Sequence, residues 1–273
     1  MGLLLNHAVV DLNRADERIP ADPSAFWADF ETAHPKARII ADAPPANALV
    51  GLTDVVVKAP VPRPGKILCI GLNYRDHARE SNQPVPEFPT VFAKYANCVI
   101  GSGEAIVLPK LTEQVDYEAE LGFVIGMRAR HVREADALSY VAGYMACNDV
   151  SARDYQMRVS QWTLGKSFDT FLPMGAVTTA DEVPDPQALD IRLSIGGEVL
   201  QNSNTRELVF TVQQLVSLLS GVMTLEPGDV ISTGTPSGVG AARTPKRWLR
   251  AGETVTVDIA GLTPLNNSII QES

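Results

Sequence analysis

V-D-Y-E-A-E-L-G, Val115 to Gly122, splits into two unlike faces when read with a period of two. Val115, Tyr117, Ala119 and Leu121 fall on one side, continued by Phe123 and Ile125. Asp116, Glu118 and Glu120 fall on the other, followed by Gly122, Val124 and Gly126. Strict alternation predicts a half-buried β-strand, because successive side chains point to opposite faces of a sheet. On such a strand Glu118 and Glu120 face the same way, about 6 to 7 Å apart at Cα. Two like charges so placed repel unless a cation lies between them. Oxygen-only ligands suit Mg2+, Mn2+ or Ca2+ rather than zinc or copper. The alternative is a solvated acidic face on an outer strand. Gly122 and Gly126, small residues on the acidic face, point to something packing closely there.

Around that strand, 273 residues allow one large domain, or a main domain with a small N-terminal region. An apolar content of 45% supplies a sizeable core. A net charge of −9 disfavours nucleic acid and anionic membranes as partners, while leaving room for an anionic substrate in a locally positive pocket. No apolar run is long enough to predict a transmembrane helix. The N-terminus lacks the basic start and apolar stretch of a signal peptide, and Asn6 stands where N-myristoylation after Gly2 needs Ser or Thr. Cys69, Cys98 and Cys147 are odd in number and far apart, which argues against a disulfide framework or a CxxC metal site and predicts a reducing, cytoplasmic setting.

Along the chain, Ser24 to His34 predicts a short helix and Val55 to Val57 a short strand, with Ala59 to Gly65 as a Pro/Gly-rich linker. The division expected is therefore a small N-terminal region, residues 1–64, and a main domain, residues 65–273. K-I-L-C-I-G-L-N-Y reads as a buried strand running into a loop. The stretch Ser81 to Pro89, with Pro84, Pro86 and Pro89, is either an active-site flap or an ordinary surface loop. Strand patterns recur at Phe123 to Gly126, Ile191 to Ile195, Asp229 to Thr233 and Thr254 to Ile259; helical patterns fall at Glu134 to Tyr144, Ser151 to Val159 and Thr211 to Ser220. Many strands with few helices predict a mixed, mainly antiparallel sheet system: an α+β chain, mainly β.

Four further segments carry chemistry. In N-D-V-S-A-R-D-Y-Q, Asp149 reads first as a cap for the following helix, and otherwise as a third carboxylate for a metal. Arg153 and Gln156, three apart, share a helix face and could both reach a ligand, or be solvated. Lys166 sits in W-T-L-G-K-S-F-D among apolar residues, a context in which a lysine can be held in a pocket to pair with an anion. The run T-G-T-P-S-G-V-G, with Gly234 and Thr235, offers backbone N–H groups and hydroxyls to a carboxylate or oxyanion. It is no dinucleotide fingerprint, because Arg243 stands where the third glycine would be. Of the histidines, His7, His34 and His131 have no suggestive neighbours. His77 has Glu80 three residues on, which could orient the imidazole as a general base, or form an ordinary surface pair.

Five motifs in this order, I-G-L-N-Y-x-D-H-x-x-E, V-D-Y-E-x-E-L, N-D-V-S-x-R-D-x-Q, G-K-S-F-D-T-F and T-G-T-P-x-G-V-G, resemble the fumarylacetoacetate hydrolase family over roughly Lys66 to Ile270. The closest likeness is to its short members, among them acylpyruvases and oxaloacetate decarboxylases. The resemblance implies a mixed β-sandwich or roll, a divalent metal (Mg2+ or Mn2+) and a homodimer. It also implies metal ligands at Glu118, Glu120 and Asp149, a base dyad at His77 and Glu80 on a mobile lid, and a lysine near the substrate at Lys166. Arg153 and Gln156 match anion-holding side chains, and Thr235 with Gly234 the loop at the reacting end. Many short members have arginine where this chain has Leu72, which removes one expected substrate contact.

The reaction this implies is metal-dependent hydrolysis of a carbon–carbon bond in a 2,4-dioxo acid, with His77 activating water and a metal-held enolate as leaving group. Oxaloacetate decarboxylation and isomerisation of a 2-hydroxydienoate are alternatives on the same site. Neither needs an activated water. A non-catalytic small-acid binding protein is the remaining alternative, disfavoured by the presence of His77 and Glu80 beside a full ligand set.

Overall fold

A computed structural model describes residues 1–5 and 8–273; Asn6 and His7 lie outside the described residues. The strand predicted from Val115 to Gly122 is the middle of the molecule. Its main part, Ala119–Ile125, pairs antiparallel on one side with Val141–Asn148 and on the other with Val230–Ser232. Outward from these, Ile67–Gly71 and Thr90–Ala93 complete one wing of the sheet. Leu172–Met174 and Val99–Gly101 complete the other, with Thr178–Thr179 also pairing to Val141–Asn148.

A second sheet runs in the order Glu198–Asn204, Asp190–Ile195, Thr254–Ile259, Leu265–Gln271, Ile106–Leu108. Its Ile191, Leu193, Val255, Val257 and Leu265 share one core with Leu121, Phe123 and Ile125. Helix Val212–Val222 closes that core with Leu215, Val216 and Leu219, and starts where Thr211 and Gln214 form a reciprocal capping box. The chain is α+β, mainly β, with these two large sheets sharing a core, two smaller sheets beside them, and few helices.

The alternation correctly separates the faces, but the strand is buried on both rather than half-buried. The reason lies upstream. Leu12, Ile19, Phe26, Trp27, Ala33 and Ala37 form a second core against Ile67, Cys69, Val124, Met145 and Cys147, on the other face of the main sheet. Close packing at the two glycines is present. A Cβ on Gly122 would come within 2.5 Å of Cys147 Sγ, and one on Gly126 within 3.1 Å of Phe30 Cδ1.

Several local expectations are corrected. Ser24 to His34 spans two helices, Pro23–Ala28 and Phe30–Asp42, the first capped by Asp22. Val55 to Val57 forms no strand. Glu134 to Tyr144 is a 3-10 segment, Glu134–Tyr140, followed by the strand Val141–Asn148, whose seven-residue register with the central strand outweighs helical spacing. Of Ser151 to Val159 only Arg153–Gln156 is helical, because Ser151 and Ala152 pair with Asp116 and Val115. All three cysteines are free and buried. Among the described residues no helix is long and apolar enough to cross a membrane.

Candidate functional site

The central strand is interrupted where its acidic residues lie. Val115–Asp116 pairs with Ser151–Ala152, and regular pairing resumes only at Ala119. Three successive backbone N–H groups in the gap donate to side chains instead. Tyr117 N–H goes to Asp116 Oδ1 (2.8 Å), Glu118 N–H to Asn148 Oδ1 (3.0 Å) and Ala119 N–H to Gln201 Oε1 (2.8 Å). Buried donors need partners, and side-chain acceptors supply them where no strand can.

Glu118, Glu120 and Asp149 converge there, each buried, with one carboxylate oxygen from each within 4.8 Å of the others. Asp149 therefore does not cap the following helix; the residue flanking that helix is Ala152, which makes no capping bond. Asp149 is reached by two lysines instead. Lys94 Nζ lies 2.6 Å from Oδ1 and Lys166 Nζ 2.8 Å from Oδ2. Lys166 also donates to Glu118 Oε2 (2.7 Å), and Arg153 Nη2 is 2.7 Å from Glu118 Oε1. Both lysines are nearly inaccessible, at 2%.

Burial pushes the Glu118 carboxyl up, but Lys166 and Arg153 outweigh it and hold it down at about 2. Among the described residues no cation pairs directly with Glu120. It accepts from Ser232 Oγ (2.5 Å) and from Gly234 N–H (3.0 Å), and burial, with the charges of Asp149 and Glu118, raises its carboxyl well above the usual range. A protonated Glu120 leaves Asp116, Glu118 and Asp149 balanced by Lys94, Lys166 and Arg153. Loss of its proton would need another positive charge.

Arg153 is not a free anion receptor. Its Nε donates to Asp116 Oδ2 (2.8 Å) and its Nη1 to Gln156 Oε1 (2.9 Å), so it is bound on three sides. Gln156 is buried and pressed by the neighbouring helix, where a Cβ on Gly165 would lie 2.4 Å from Gln156 N.

His77 lies on the short helix Arg75–Glu80, with Nδ1 3.2 Å from Glu80 Oε2. The root of that helix is pinned. Asn73 donates to Thr233 O (2.8 Å), Arg75 donates to Leu208 O (2.7 Å), and Ser203 Oγ donates to Asp76 Oδ2 (2.6 Å). Leu72, just before it, takes a φ of +55°, a left-handed conformation uncommon for leucine. The other oxygen of Glu80 accepts from Gly238 N–H (2.8 Å), tying the helix to the glycine-rich loop.

That loop is less open than expected. The N–H groups of Gly234, Gly238, Gly240 and Ala241 donate to Glu120, Glu80 and Asp116. They are therefore engaged and not open to a substrate oxyanion. Thr235 is buried and its hydroxyl accepts from Gln201 Nε2 (2.8 Å).

Lys94 and Gln201 are not among the residues expected from the sequence for this site, and Asp116, marked only as part of the acidic face, holds Arg153 and two loop N–H groups. Lys94 directly follows the strand Thr90–Ala93, a lone lysine closing an apolar run, the same context that marked Lys166. Elsewhere, His34 stacks on Phe30 at 4.8 Å, and the cavity lined by Arg79, Arg192 and Arg206 includes none of the three clustered carboxylates.

The chain is similar over most of its length to known proteins. Residues 66–270 match the family model described as fumarylacetoacetate (FAA) hydrolase C-terminal. The mitochondrial oxaloacetate tautomerase FAHD2A of Homo sapiens is 41% identical, over 96% of this chain and 84% of that protein. Among solved structures, maleylpyruvate hydrolase from Sphingobium superposes with a TM-score of 0.82 at 31% identity, covering 99% of this chain and 96% of that one. 5-Carboxymethyl-2-hydroxymuconate delta-isomerase from Mycobacterium smegmatis gives 0.74 at 36% identity, covering 83% and 84%.

Proposed function

The chain belongs to the fumarylacetoacetate hydrolase family, and we propose that it is a divalent-metal-dependent enzyme that moves a proton on a small 2-oxo acid, the keto–enol interconversion of oxaloacetate or a close analogue. The observation that carries this reading is the convergence of Glu118, Glu120 and Asp149 in one buried cluster. Three hard carboxylate donors fit Mg2+ or Mn2+. A bound ion would act as a Lewis acid toward the 2-oxo carboxylate end of the substrate.

The remaining roles belong to the chain. Glu120 would hold the ion as a carboxylate, without its proton. Lys166 and Lys94, sharing Glu118 and Asp149 with the ion, would be the counter-charges for an anionic substrate. Four carboxylates, three side-chain cations and one divalent ion leave a net +1, which a substrate carboxylate would neutralise. His77 presents Nδ1 to Glu80, so Nε2 is the ring nitrogen that takes the proton from the carbon beside the keto group and delivers it to the keto oxygen, the reverse transfer restoring the keto form. Thr235 contacts the reacting end from the glycine-rich loop. Arg153 acts by holding Glu118 and Gln156 in place.

The relatives named oxaloacetate tautomerase favour proton transfer as the reaction. A second reading, hydrolysis of a carbon–carbon bond in an acylpyruvate-like 2,4-dioxo acid, is favoured by the Glu80-oriented His77, which could equally deprotonate water, and by the likeness to maleylpyruvate hydrolase. One experiment separates them. The ultraviolet enol band is followed for oxaloacetate and for a simple acylpyruvate, with Mg2+ and with EDTA, and the products are identified. Metal-dependent acceleration of oxaloacetate tautomerisation, without pyruvate release, supports the first reading. Acid plus pyruvate from the acylpyruvate supports the second, and pyruvate from oxaloacetate above the metal-only rate would make the chain a decarboxylase. Rates equal with and without EDTA on both substrates overturn the metal-dependent reading.

A further inference from the structure

One buried amide joins the two halves of the site. Gln201 lies on the second sheet, in the strand Glu198–Asn204, and is 1% exposed. Its Oε1 accepts from Ala119 N–H (2.8 Å), the backbone between Glu118 and Glu120. Its Nε2 donates to Thr235 Oγ1 (2.8 Å) and to Pro236 O (2.9 Å). Ala119 N–H has no strand partner on that side, because pairing with Val230–Ser232 reaches only as far as Gly122. Glutamine carries an acceptor and two donors on one planar group, so a single side chain can grip both segments at once.

We infer that Gln201 is a positioning residue that sets the distance between the carboxylate cluster and Thr235. It touches no reacting atom. It acts through Thr235, whose hydroxyl it orients: with the amide donating to Oγ1, the threonine proton is left free to donate to a substrate oxygen. A residue needed only to fill the core would not show that division, since the three bonds reach the ligand-bearing strand on one side and the loop on the other. The inference rests on the proposed reading that Thr235 meets the substrate.

The test is a double-mutant cycle on the Mg2+-loaded protein, with Gln201→Met, Thr235→Val and the pair. Oxaloacetate kinetics are read beside Mn2+ affinity measured by electron paramagnetic resonance. Gln201→Met is expected to raise KM about tenfold, and to add less than about twofold once Thr235 is already valine, because the two act as one unit. Mn2+ affinity should stay within about twofold, since all three carboxylates keep their own partners. An unchanged KM, effects that multiply independently, or Mn2+ affinity falling in step with KM would each overturn the inference. If Gln201→Met fails to fold, Gln201→Asn retains the amide but is one methylene too short to span both segments, and must give the same KM rise and the same coupling to Thr235. A wild-type chain that turns over neither oxaloacetate nor an acylpyruvate overturns the functional reading, and this inference with it. A fully active wild type with unaffected variants overturns this inference alone.

Discussion

Lys166 Nζ stands 2.7 Å from Glu118 Oε2, at the bottom of a site where both groups are almost wholly removed from water. An ion pair so placed is a substitute as well as a bond: the ammonium occupies the neighbourhood that a divalent cation would share with Glu118 and Asp149. In a chain holding such an ion, Lys166 would share Glu118 and Asp149 with it and direct part of its charge at an anion.

Removing that lysine should make folding depend on metal. Lys166→Met leaves Glu118 with only Arg153, and an uncompensated buried charge destabilises by about 3–5 kcal/mol. In EDTA the variant is expected to unfold at correspondingly lower denaturant, while Mg2+ restores a large part of the loss. Equal losses in EDTA and in Mg2+ would show that Lys166 does not share its place with a cation.

How much of this was legible beforehand depended on range. The period of two in Val115 to Gly122 separated the carboxylates from the apolar face, because that periodicity is a property of the strand itself. Whether the face carrying Val124 and Gly126 met water was set by Phe26, Trp27 and their neighbours, folded across the sheet from nearly ninety residues upstream, while Glu118 and Glu120 are enclosed by Lys166, Arg153, Ser232 and Gly234. Nor could local spacing show that Lys94 reaches Asp149, or that Asp116 accepts from Arg153 and two loop N–H groups. Glu134 to Tyr144 misled for the same reason: spacing over a dozen residues favoured a helix, and pairing with the central strand decided otherwise.

Metal uptake should release a proton, with affinity falling as pH falls. Glu120 is held well above the usual carboxylate range, so in the metal-free protein it is protonated where a free glutamate would be ionised. Only the carboxylate binds a cation, and affinity is expected to fall about tenfold per pH unit below the raised value. The same shift acts on stability. A group whose folded pKa is raised contributes stability that is full below its unfolded value, about 4.3, and is lost as pH rises through the folded one. Glu118, held at about 2, gives the opposite slope, but only at lower pH, between its folded value and that of the free side chain. Metal-free protein should therefore lose stability on alkalinisation from about pH 4.3 upward, and Mg2+ should abolish that slope. Calorimetry in buffers of different protonation enthalpy checks the released proton. Glu120→Gln should remove both the proton release and the slope.

Glu80 makes two contacts, to His77 Nδ1 and to Gly238 N–H, that substitution can separate. Glu80→Gln keeps an oxygen for Gly238 N–H but removes the charge facing His77, and should lower kcat about tenfold with little change in KM. Glu80→Ala also frees the loop, so its KM should rise as well. Identical kinetics for the two variants would show that the Gly238 contact contributes nothing to substrate binding.

Gly238 is the position where the loop tolerates least. Its φ is +102°, and a Cβ there would come within 2.2 Å of the Leu200 carbonyl, adjacent to Gln201. Since that neighbour is backbone within a paired strand, the loop must move rather than the strand. Gly238→Ala is expected to destabilise by about 2–4 kcal/mol, combining an unfavourable φ with an unrelieved contact. Movement of the loop also withdraws Gly238 N–H from Glu80 and shifts Thr235, so activity should fall further than the folded fraction does. Mn2+ affinity should largely persist, because Glu118 and Asp149 are held from the opposite side by Lys166 and Lys94. Titrating Mn2+ into the folded variant, alongside its kcat and KM, checks both halves. Loss of metal binding together with activity would place the loop among the supports of the cluster itself.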